Sequence, residues 1–300
     1  MRSKPTGVPR FGRVLLRASG RTGRADRRAV AGRLTADAYL LGETMSGPAG
    51  VMALVLAELV AGVVVFAWLT PLWAEVKHGF FKVTGVTVAA LAASTWLSIS
   101  AGLEAGSEPG RLAMWCAAAI TIVSLVGVVL LFARIDRAAW AAGMLTIPIS
   151  VLMLGALAGT ATAGWPLAFF QLLAGAAFLG SVLVALLLGH WYLTDRKLTR
   201  VPINRAVVFL LVGVVLEAVA IILGGFGPAP AGTAFNPLLI GTAPWIAMGM
   251  VVVTGLVGVL ARATLKGDRS SAVQAATGFF YLAVLTSLTG ELAAKVGFFS

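Results

Sequence analysis

From about residue 47 to the end of the chain, apolar residues run in long stretches, and polar and charged positions gather into the short gaps between them. Eight stretches reach the roughly 20 residues needed to cross a hydrocarbon core about 30 Å thick: 47–72, 79–102, 112–133, 138–162, 165–193, 204–226, 238–261 and 272–298. None alternates with the two-residue period of a barrel strand. Every backbone N–H and C=O in hydrocarbon needs an internal partner, so the pattern predicts an all-α integral membrane protein, a bundle of eight transmembrane helices. Trp73, Trp115, Trp140, Trp165, Trp191 and Trp245 fall near the span ends, where an amphipathic indole prefers to sit. Pro148, midway along the fourth span, is expected to kink it by removing a backbone donor.

Composition narrows the class further. Hydrophobic residues make up 59% of the chain and charged residues 12%, with a mean hydropathy of +0.95, which excludes an ordinary soluble globule. A single cysteine, Cys116, cannot form an internal disulfide, and one Cys with two His speaks against a transition-metal site of three or four N/S ligands. No strong internal repeat is visible. The pair Gly155 and Gly159, with Gly249, Gly255 and Gly258, reads as notches for close helix packing.

Charge sets an expected orientation. Alternate connections hold Lys77, Lys82, Arg134, Arg137, Arg196, Lys197, Arg200, Arg205, Arg262, Lys266 and Arg269, whereas the opposite connections hold Arg111, with Lys295 near the chain end. Basic loops stay cytoplasmic, so both ends of the core are expected outside, in the plasma (inner) membrane of a prokaryote. Residues 1–45 carry ten Lys or Arg against three acids and pull the other way. They read as a basic, disordered tail ahead of a 46–300 membrane domain, with Met45 as an alternative start. Anionic lipid is the expected contact of such a tail and nucleic acid is not, for want of a recognisable fold or aromatic platform.

Ionisable residues within the spans carry the chemistry, because a charge in hydrocarbon is costly and is rarely kept without a partner or a role. Glu58, Glu217 and Glu291 lie roughly seven to eleven residues from the outer ends of the first, sixth and eighth spans, on the order of 10 to 17 Å at 1.5 Å per residue. Gln171, Ser94 and Ser98 fall in the same half, so one polar pocket could draw on five helices. Lys295 reads as a surface residue, leaving the acids short of cations; desolvation and mutual repulsion then favour neutral carboxyls suited to proton or cation binding. The alternative is that each carboxyl bonds a neighbouring helix and only holds the bundle together.

His78 and His190 fall on the opposite side, with Tyr192 beside the latter. A quinone head group could rest on His190 or Tyr192. Haem is disfavoured, since bis-His haem usually takes ligands inside facing helices. The Gly/Pro-rich stretch 224–244 is expected to form an outer lid or re-entrant turn. Phosphate-binding, dinucleotide, zinc-protease and nucleophile-elbow motifs are missing, so no enzyme class is assigned. Eight spans with both core ends outside resemble the layout of membrane anchor subunits that exchange electrons with quinol, a likeness of layout alone. The residues thus point to a polytopic membrane protein, with three readings: a proton- or cation-coupled small-solute transporter, a quinone-interacting subunit docked to other membrane or redox subunits, or a structural or assembly protein.

Overall fold

A computed structural model of the chain describes residues 47–73, 75–102, 107–194, 199–226, 237–267 and 271–298. The basic tail, the suspected start at Met45 and most of the 224–237 connection lie outside the described residues. The described helices are α1 (Gly47–Trp68), α2 (Thr70–Trp73), α3 (His78–Gly102), α4 (Glu108–Phe132), α5 (Asp136–Ala158), α6 (Trp165–Thr194), α7 (Val201–Gly224), α8 (Pro237–Leu265) and α9 (Ala272–Lys295). All but the four-residue α2 are long and apolar enough to cross a membrane, and no strand occurs among the described residues. The chain is a polytopic eight-helix bundle compatible with a membrane protein.

Local chemistry explains where the helices start and stop. The α4 helix starts at Glu108, four residues before the apolar run, because Pro109 is pre-set for a first helical turn and that turn has no N–H to lose. Between α4 and α5 the chain reverses in a tight turn where Arg134 adopts a left-handed φ of 64°. The α5 helix runs unbroken through Pro148, and α8 likewise through Pro244, so residues 237–244 are helix rather than the lid expected there. Trp115, Trp165 and Trp245 are at least half exposed on the bundle surface.

Neighbour relations reveal an order that the sequence does not display. In the first half α1 packs on α3, α3 on α4, α4 on α5, and α5 returns to α1; in the second, α6, α7, α8 and α9 close the same ring. The halves meet chiefly where α1 lies against α6, and 72% of the hydrophobic window of each of these two is buried, against 33–44% for the other six spans. Backbone nearly touches backbone at that crossing. A Cβ on Gly62 would stand 1.8 Å from the Ala176 carbonyl oxygen, and one on Gly180 would stand 2.2 Å from the Gly62 carbonyl carbon, so only glycine fits either position. Of the five glycines read as notches, Gly255 and Gly258 do face α7, while Gly249 has open space around it.

Candidate functional site

Four ionisable side chains meet inside the bundle, at the cation-poor end where α7 and α9 finish. Glu58 of α1, Glu217 of α7, and Glu291 and Lys295 of α9 are all at most 2% exposed. The Lys295 Nζ stands 2.8 Å from Glu58 Oε1 and 2.6 Å from Glu291 Oε1, and it donates a long hydrogen bond of 3.5 Å to the Gln171 carbonyl oxygen. Glu217 faces the same cluster and interacts electrostatically with Glu291 and Lys295. One ammonium therefore ties an acid of the first half, Glu58, to an acid of the second, Glu291.

Lys295 differs from its expected place. A lysine in the last turn of a membrane helix normally snorkels to the interface. Here the helix periodicity sets Lys295 one turn beyond Glu291 on the same face, and that face is turned inward onto α1 and α6. The Glu291-x-x-x-Lys295 spacing is the sequence signal that could have found the pair. The acids are consequently not without a cation, although one ammonium serves three carboxyl groups. Oε2 of Glu58, Glu217 and Glu291 is buried in each case with no hydrogen-bond partner.

Gly175 on α6 makes the cluster sterically possible. A Cβ there would stand 2.6 Å from both Glu58 Oε1 and Glu291 Oε1, and 2.7 Å from Glu58 Cδ. Among 35 glycines nothing in the sequence singles this one out. Above the cluster, a partly open cavity of about 250 Å³ lies inside the second ring of helices. Gln171, Glu217 and Lys295 form its polar part; Leu167, Ile221, Ile240 and Phe298 are among its apolar walls. Gln171 also donates a 3.5 Å hydrogen bond to the Ala220 carbonyl.

The other candidates do not join this site. Ser94 is exposed on α3 and donates to its own helix at Ala90 O (3.0 Å), and Ser98 is half-buried; neither lines the cavity. Both belong to α3, which packs in the first ring, whereas the cavity is lined by the second. His78 is held at the opposite end, with Nε2 3.0 Å from Leu131 O and Nδ1 2.9 Å from Asp136 Oδ1. His190 is exposed, 3.4 Å from the Tyr281 hydroxyl, and Tyr192 donates its hydroxyl proton to Thr199 O. The structure gives these three side chains separate neighbours, and none of them lines the cavity. Among the described residues, no three His, Cys, Asp or Glu are grouped to hold a metal ion.

Comparisons with protein-family models, with curated proteins and with solved structures give no match for this chain.

Proposed function

We propose that this membrane protein moves a small solute across the bilayer, coupled to protons or cations that occupy the carboxyl cluster of Glu58, Glu217 and Glu291. The observation that carries the reading is the charge imbalance of the buried cluster, three carboxyl groups against one ammonium, of which Glu217 and Lys295 line the cavity. Fully ionised, the cluster would hold two uncompensated negative charges, and an uncompensated charge in a low-dielectric interior is too costly to leave unbalanced. Protons or small cations arriving from the cavity supply that balance. Glu217 is both a cavity wall and a member of the cluster, so it is the group through which exchange runs. The Lys295 bridge between Glu58 and Glu291 gives occupancy a mechanical consequence, since neutralising Glu58 weakens a tie between the two halves.

Reconstitution into vesicles carrying a trapped pH-sensitive dye tests this. Amines, amino acids, organic acids and sugars are added outside in turn while the internal pH is followed. At least one class should drive a pH change that empty vesicles lack and that Glu217→Gln abolishes. No protein-dependent pH change with any class, together with no uptake of any class driven by an imposed sodium or potassium gradient, would overturn the reading.

A second reading has one observation in its favour. The mixed cavity, with apolar walls around a carboxyl and an amide, also suits a quinol head group. Quinone co-purifying with the protein and displaced by Glu217→Gln would favour it over transport.

A further inference from the structure

We propose that the cavity above Glu217 is a binding site for a small alkylammonium ion, for which the side chain of Lys295 is the chain's own built-in counterpart. The inference deepens the transport reading by naming a substrate class, and it rests on that reading only in treating the cavity as an entrance. Three independent features support it.

The first is acceptor chemistry. Glu217 is 1% exposed and lines the cavity; its carboxyl is in hydrogen-bond contact with that of Glu291, and its buried Oε2 has no further partner. A buried acceptor without a donor is expensive, and a ligand N–H would remove that cost. The second is size and wall character. A water needs only about 10–15 Å³ of such space, whereas this cavity offers about 250 Å³, enough for a small organic molecule. Its walls at Leu167, Ile221, Ile240, Ala243 and Phe298 suit an alkyl stem better than a bare, hydrated metal cation.

The third is the internal precedent. Lys295 is itself an ammonium on an alkyl stem; it borders the same cavity and rests on two of the three acids, 2.8 Å from Glu58 and 2.6 Å from Glu291. The protein thus already stabilises a primary ammonium in this environment, and Glu217 supplies a third carboxyl group beside it. A free alkylammonium would lay its stem along the apolar wall and direct its N–H donors at Glu217. It would then compete electrostatically with Lys295 for the cluster.

The test is thermal unfolding of the full chain in detergent with propylammonium chloride, sodium chloride at equal ionic strength, and neutral propanol. Propylammonium should raise Tm in a saturating manner that neither control reproduces. Glu217→Gln keeps the shape and removes the charge, and should weaken the apparent affinity by about tenfold or more. Ala243→Phe narrows the cavity without touching an acid and should abolish the shift. The unliganded Tm of each variant reads its folding separately. No shift with propylammonium, an equal shift with sodium, or a shift retained in both variants would overturn the assignment. Solute-driven proton movement by an organic acid or a sugar, without amine binding, would remove the amine and leave the transport reading standing.

Discussion

Replacing Gly175 by alanine adds one methyl group at the most crowded point of the charged cluster. That carbon would sit 2.6 Å from Glu58 Oε1 and from Glu291 Oε1, closer than unbonded atoms approach. Something must shift. If the carboxyl groups rotate and keep their contacts with Lys295, the cost is that of overpacking, about 1–3 kcal/mol. If either acid is pushed off the ammonium, a buried ion pair is broken and the cost rises to about 3–5 kcal/mol. Gly249 is the control: it is also inside a helix, has nothing within 4 Å of its would-be Cβ, and alanine there should be neutral or stabilising by about 0.5–1 kcal/mol. Both variants are compared with the parent by reversible denaturation in mixed micelles. Gly175→Ala should lose stability while Gly249→Ala does not. Equal stability of the two would refute the crowding around Gly175 and, with it, the closeness of Glu58 to Glu291.

Further outcomes follow from the same geometry. Gly62→Ala drives a methyl group into the Ala176 carbonyl, a backbone atom that cannot rotate away, so it should cost more than Gly175→Ala and lower the yield of folded protein; a yield and Tm at the parent level would contradict the α1–α6 crossing. Tyr192→Phe removes the donor to Thr199 O and should cost about 0.5–1.5 kcal/mol in Tm measurements while leaving propylammonium binding unchanged, because Tyr192 is not in the cavity wall; a loss of binding would tie the two ends of the bundle together. For orientation, single cysteines in a Cys116→Ala background should label from outside at position 231 and not at position 198, and the reverse pattern would invert the orientation read from the basic loops.

Depth along a helix is legible in the sequence, and direction around it is not. Glu58, Glu217 and Glu291 stand out because each interrupts an apolar run at a similar distance from one membrane face. Ser94 shares that depth yet points outward, because the ring order that sets α3 beyond α1 depends on packing between helices distant in sequence. Lys295 was legible as a cation and illegible as a buried one: its place in the last turn suits snorkelling, and only the inward rotation of α9 folds it onto Glu58. Glycine gives the least warning. Gly62, Gly175 and Gly180 look like any other small residue in an apolar run, and their importance appears only when a neighbour's backbone or carboxyl lies against the missing side chain. The pairing of four helices with four escapes sequence inspection for a related reason, since each half satisfies the same packing pattern with different side chains.

The most direct test of the charged cluster is a double-mutant cycle between Glu58 and Lys295, using Glu58→Gln, Lys295→Met and the double variant, with unfolding free energy measured in mixed micelles. These side chains belong to different halves of the bundle and are 237 positions apart in a 300-residue chain (295 − 58 = 237), so only the convergence described here brings them to 2.8 Å. Lys295→Met strands buried carboxylates and should be strongly destabilising, by about 3–5 kcal/mol, while adding Glu58→Gln removes one stranded charge and should recover part of the loss. A coupling energy toward the upper end of about 0.5–3 kcal/mol is expected for residues in direct contact. Additive effects, with a coupling near zero, would show that Lys295 does not reach Glu58 and would contradict the clustering of these acids around its ammonium.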